Sequence, residues 1–161
     1  MFCVLFVTSL VCGVAKGLGT EKPRNVSVWR AAKREQVAGK LNRGLAHTPL
    51  RGLGLVLERV GWKYGVHPAF IAAAAGTESS YGAVPCCGSH YNIWGWYGMP
   101  SVASWQQAFT AYARFIRQHW PSAHTPWDFY GYCGCGTIAW GNATSRFMAR
   151  LGFAPKVRYP G

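Results

Sequence analysis

The stretch that decides the fold is PAFIAAAAGTESSYG, residues 68–82. Proline sits at its start, where a missing N–H costs nothing, and a run of alanines and large apolar residues follows. Gly82 closes it, so the spacing predicts a helix from Pro68 to about Gly82. Ile71, Ala74, Ala75 and Tyr81 fall on one helical stripe that belongs in a core. Glu78 lies in the same segment. The chain holds only five acidic residues, and one of them is placed where burial raises the cost of its charge. Its position in the last turn also sets it against the helix dipole. Both effects push its pKa upward, and no Lys or Arg lies within four residues to oppose them. A carboxyl poised in that way suits general acid catalysis near neutral pH.

Working outward, further helices are expected on either side. Upstream, Thr48 can cap a helix with Pro49 at its first position. Leu50, Leu53, Leu57, Val60 and Tyr64 then share a stripe, and Gly65 ends it. Downstream, residues 83–100 read as a long loop rich in Gly, Pro, Cys and aromatics. Ser104 and Gln107 make a capping box ahead of a helix carrying Trp105, Ala108, Phe109, Tyr112, Phe115, Ile116 and His119. A short helix from Pro126 and a last one with Trp140, Ala143, Phe147 and Leu151, closed by Gly152, complete the pattern. No segment alternates as a strand should. The expected fold is mainly α: a compact helical domain over residues 47–152 with a long aromatic loop, followed by a tail at 153–161.

Composition narrows the function classes. The chain has 161 residues, room for one domain, and half of them are hydrophobic, so it is not a disordered chain. Its net charge of +12 draws it to polyanions: nucleic acid, anionic lipid or an acidic cell wall. No nucleic-acid motif is recognised, and Lys and Arg are densest in residues 16–46, which read as a basic linker or arm, with a short helix around Trp29 to Leu41 as the alternative. Residues 2–15, FCVLFVTSLVCGVA, are too short for a comfortable membrane span of about 20 residues. With Gly13 and Ala15 before Lys16 they resemble a secretory signal peptide, although a basic segment ahead of them is missing. A secreted or wall-associated protein is expected.

Cys86, Cys87, Cys133 and Cys135 then read as disulfide partners. CC and CxC spacings suit a tetrahedral zinc site poorly, so no metal is expected there. The simplest pairing joins Cys86 or Cys87 to Cys133. His90 carries no metal-binding pattern, and no cofactor is expected.

Around Glu78, the segment YNIWGW (91–96) offers Asn92 for hydrogen bonding and Tyr91, Trp94 and Trp96 as flat faces for sugar rings. Core packing is the competing reading for both tryptophans. Trp105, Trp120, Trp127 and Trp140 read as core.

Taken together, TPLRGLGLVLERVGWKYGVHPAFIAAAAGTESSYG, YNIWGW, SWQQAFTAYARFIRQHW and the YC…W…FMARLG segment resemble the lysozyme-like lytic transglycosylases of bacteria, in particular exported actinobacterial-type proteins. The ESSYG and YNIWG pair is also similar to peptidoglycan-cleaving endo-β-N-acetylglucosaminidases. The resemblance covers about residues 48–152. It implies a lysozyme-like domain that acts on peptidoglycan glycan strands as a monomer, with Glu78 as catalytic acid. It implies substrate contacts at Ser79, Tyr91, Asn92, Trp94, Trp96 and Tyr132, the last aligning with a family tyrosine near the acid. His67 departs from the Asp usual before Pro in the family.

Glycosidases ordinarily use two carboxylates. Glu58 reads as a solvated surface acid beside Arg59 and Lys63, and Asp128 fills a capping-box position after Thr125 and Pro126. With one well-placed acid, the resemblance implies transglycosylation, in which the muramyl 6-hydroxyl closes a 1,6-anhydro ring. A hydrolytic enzyme is the near alternative, and a non-catalytic wall-binding module the distant one.

Overall fold

The computed structural model describes residues 26–84, 90–132 and 137–159. The fold is mainly helical. The helices are α1 (Val26–Gly44), α2 (Gly54–Tyr64), α3 (Pro68–Ser79), α4 (Trp105–His119) and α5 (Thr137–Arg150), with a short 3-10 turn at Pro126–Asp128. None of the described helices is long and apolar enough to cross a membrane.

α3 is the axis of the molecule. Ala69 to Ala75 are all fully buried, as expected for a helix apolar on every side. α2, α4 and α5 pack around it, and α1 covers α2. Its small side chains allow close approach. A Cβ on Gly76 would lie 2.7 Å from the Phe147 ring of α5, so glycine is what lets these two helices meet. The helix starts as the sequence indicates. Pro68 is at its first turn, and His67 is the cap, with Nδ1 accepting from the Ala69 N–H at 3.2 Å.

The basic segment departs from the linker reading. From Val26 it is helix, and Ala38, Leu41 and Leu45 are buried against the body of the protein. Only the C-terminal half of α1 carries this buried stripe; its first turns are exposed and mix Lys and Arg with exposed apolar Val28 and Trp29, which blurs the helical pattern in the sequence. α2 is likewise displaced from expectation. Residues 45–53 form turns, in which Thr48 caps locally by accepting from the Leu50 N–H. The helix begins at Gly54, whose N–H donates to Asn42 Oδ1 of α1 at 2.7 Å. A Cβ on Gly54 would fall 2.3 Å from the Ala38 carbonyl oxygen, so α1 and α2 touch through backbone at that point.

α1 also reverses the reading of Glu58. This carboxylate is fully buried and accepts two bonds from the Arg34 guanidinium, at 2.6 Å from Nε and 2.9 Å from Nη2. It is a buried ion pair between helices and not a solvated acid.

The C-terminal tail belongs to the fold. The His67 N–H donates to the Val157 carbonyl at 2.6 Å and the Tyr159 N–H to that of Gly65 at 3.2 Å. Val157 is buried, and the His67 ring lies edge-on to Phe153 and Tyr159. Burial, with a smaller contribution from Lys156, lowers the His67 pKa to about 4. In the unfolded chain the ring titrates near 6.5. The unfolded state therefore binds more protons between those values, and stability present above pH 6.5 is lost as pH falls toward 4. We expect a loss of about 2 kcal/mol at pH 4, discounted for partial exposure. His67→Asn, which keeps a capping side chain, should flatten that part of the urea-midpoint profile. An unchanged profile would remove His67 as its cause.

Candidate active site

α3 ends by an abrupt reversal. Ser80, Tyr81 and Gly82 have φ of 51°, 62° and 88°, three successive residues in the left-handed region. For the two that are not glycine this costs about 1 kcal/mol or more each, and it persists because the surroundings hold it. The Ser79 hydroxyl supplies much of that hold. Its single O–H is shared between the Ala75 carbonyl at 3.0 Å and the Ile93 carbonyl at 2.6 Å, and its oxygen accepts from the Gly82 N–H at 2.9 Å. The aromatic loop is thereby pinned to the end of α3. Ser79 is itself buried, with no free surface for a sugar, so the structure makes it a strut and not a substrate contact.

Beside this reversal Glu78 is half-buried and opens on a cleft of about 500 Å³ lined by Trp94, Gly95, Trp96, Tyr97, Phe115 and Tyr132. Among the described residues, Glu78 is the only carboxylate lining it. Its Oε1 accepts a hydrogen bond from the Trp140 indole at 2.6 Å. Burial raises its pKa above the ordinary carboxyl value, and the indole N–H opposes part of that rise. The carboxyl therefore keeps its proton to higher pH than a solvated one.

The loop residues divide into framework and wall. Asn92 is buried and turned inward: its amide donates to the Trp96 carbonyl at 2.9 Å and its oxygen accepts the Trp96 N–H at 3.0 Å. It shapes the loop that presents Trp96. Trp94 is core, with only 2% of its surface exposed. It stacks on Tyr112 at 4.3 Å and donates to the Ile71 carbonyl. Trp96 is partly buried, tilted over Phe115 at 4.2 Å. Tyr97 is 97% exposed beside it. These two also wall a second hollow of about 600 Å³, bordered by Asn92 and residues 98–101, so the cleft continues past Trp96. Tyr91 packs with His90 against Trp105 and is in neither hollow. Tyr132 reaches the cleft, its hydroxyl 2.9 Å from that of fully buried Tyr112, and burial raises the pKa of both.

Three cleft features escape a sequence reading. Tyr97 directly follows the quoted loop motif, and Phe115 stands three residues after Tyr112 on α4, so both carried a usable signal. Trp140 did not. It lies 62 residues from Glu78 in the chain, and its burial fits the core reading while its N–H serves the acid.

Two further acids, Glu58 and Asp128, are committed elsewhere. Asp128 completes the capping box at the 3-10 turn, accepting the His124 and Thr125 N–H groups at 2.8 Å. Those bonds hold its pKa below the usual value. Among the described residues no three His, Cys, Asp or Glu side chains gather as metal ligands would. Cys86, Cys87, Cys133 and Cys135, with the disulfide expected of them, lie outside the described residues, as do residues 1–25 with the expected signal peptide.

No family model matches the chain, and no curated protein or solved structure does.

Proposed function

We propose that the chain is a peptidoglycan-cleaving glycosidase, exported to the cell wall, that works by transglycosylation with Glu78 as its single acid and base. The observation that carries this reading is the isolation of Glu78: one carboxyl with a raised pKa, in a cleft walled by aromatic rings and, among the described residues, lined by no second acid. Flat aromatics at the cleft, exposed Tyr97 and partly exposed Trp96, match the apolar faces of pyranose rings. The cleft is long enough, past Trp96, to accept more than one sugar.

In the first step Glu78 protonates the oxygen between MurNAc and GlcNAc as the C1–O bond breaks and positive charge develops on the ring. The carboxylate left behind then takes the proton of the muramyl 6-hydroxyl as that oxygen bonds to C1. A 1,6-anhydro sugar results, and no water is consumed. A hydrolase would need a second carboxylate to activate water. Asp128, fastened to two backbone N–H groups, is poorly placed for that task.

The test is a mass spectrum of purified peptidoglycan after digestion. Anhydromuropeptides, lighter by one water than hydrolytic products and without a reducing end, are expected from the wild type and from Asp128→Asn alike. Reducing-end products that disappear in Asp128→Asn would establish hydrolysis. Binding to wall without any cleavage would leave a non-catalytic module.

A further inference from the structure

Trp140 is one of the most confined side chains of the molecule. It is 2% exposed and packed against Phe70 of α3, Phe129 and Tyr132, with ring centroids 6.1, 5.4 and 4.5 Å away. From this cage its Nε1–H points to one oxygen of Glu78 at 2.6 Å. An indole nitrogen only donates, in every protonation state. Oε1 must therefore offer it a lone pair whether the carboxyl is charged or neutral. A proton on Oε1 would compete with the indole for the same side of that oxygen.

We infer that Trp140 is a positioning residue that confines the catalytic proton to Oε2 of Glu78 and fixes the plane in which that proton is delivered. The inference rests on the proposed role of Glu78 as the acid. In the neutral carboxyl, Oε1 is the carbonyl oxygen and Oε2 carries the hydrogen. The proton leaves Oε2 for the glycosidic oxygen while the C1–O bonding pair moves to that oxygen. Oε2 is then the anionic end, and it receives the 6-hydroxyl proton in the second step. The indole bond is present throughout and favours the anion, so it also limits how far burial raises the acid's pKa.

Among the described residues, no charged side chain besides Glu78 lines the cleft. The titratable groups set toward Glu78 from the neighbouring elements are Tyr112 of α4, Tyr132 ahead of α5 and Tyr97 at the exposed edge of the cleft, and burial raises the pKa of the first two further. Changes in the pH response of a Trp140 variant thus report on Glu78.

The experiment replaces Trp140 with benzothienylalanine, which keeps the ring system and exchanges only the N–H for sulfur, alongside Trp140→Phe. Three readouts follow: the Glu78 carboxyl titration by carbon NMR, the infrared C=O stretch of its protonated form, and the pH–rate profile on peptidoglycan. We expect the carboxyl pKa to rise by about one unit, the C=O stretch to move to higher frequency, and the alkaline limb of the rate profile to shift with the pKa. kcat should fall by about tenfold or more with KM little changed. A titration and stretch identical to wild type in the folded isostere, or a wild-type rate profile, would overturn the inference. A wild-type protein that cuts no glycan, while the titration and stretch move as stated, would refute Glu78's role in cleavage and leave the placement of the proton standing.

Discussion

Glu78→Gln lowers the rate of peptidoglycan lysis by about two to four orders of magnitude, with the fold retained and thermal stability equal or improved. The substitution removes only the transferable proton. Glutamine has the same shape, and its carbonyl oxygen can still accept the Trp140 N–H that Oε1 accepts in the wild type. The stability gain follows from burial: the carboxylate is desolvated in the cleft, whereas a neutral amide loses less on leaving water. Sites that hold a strained acid commonly trade stability for activity. Dye-release or turbidity assays on purified wall, with circular dichroism melts of both proteins, give the two readings. A variant that retains a tenth of the wild-type rate would rule out Glu78 as the proton donor.

Arg34→Ala destabilises the protein by about 3 kcal/mol at neutral pH, because it strands a buried charge. Glu58 has no exposed surface, and both of its carboxylate oxygens are bonded to the one guanidinium. Part of the cost is relieved because the Arg34 side chain is 32% exposed and water can enter where it stood. Trp62 also loses the guanidinium that covers its ring at 5.0 Å. The loss corresponds to a drop in Tm of about 10 °C. Replacing both partners, Arg34→Met with Glu58→Leu, should recover most of it, since the charge is then gone along with its partner. A single Arg34→Ala variant that melts within two or three degrees of wild type would show that α1 is not held by this pair.

The chain's local rules account for much of the architecture. A helix with Pro68 at its start, the Ser104 cap that accepts the Gln107 N–H, and the Thr125–Asp128 box all appear where residue spacing places them. These features depend on interactions over three or four residues, so they are written in the local sequence. The same holds for Glu78. An acid in an otherwise apolar helix is conspicuous, and the half-buried carboxyl with its raised pKa follows from that context.

Tertiary structure decided the rest, for one physical reason: the deciding partners are far apart in the chain. Glu58 reads as solvated until α1 lies across it and brings Arg34 from 24 residues away. α2 takes its capping oxygen from Asn42, twelve residues upstream, so its start cannot be read from Thr48 and Pro49. Ser79 and Asn92 are polar residues beside an acid, and locally they look like ligand contacts. Only the folded loop shows their bonds spent on the Ile93 and Trp96 backbone. Trp140 is the sharpest case. Its hydrophobicity determined that it would be buried, but burial is indifferent to direction, and the packing of α5 on α3 alone determined that its N–H would meet Glu78.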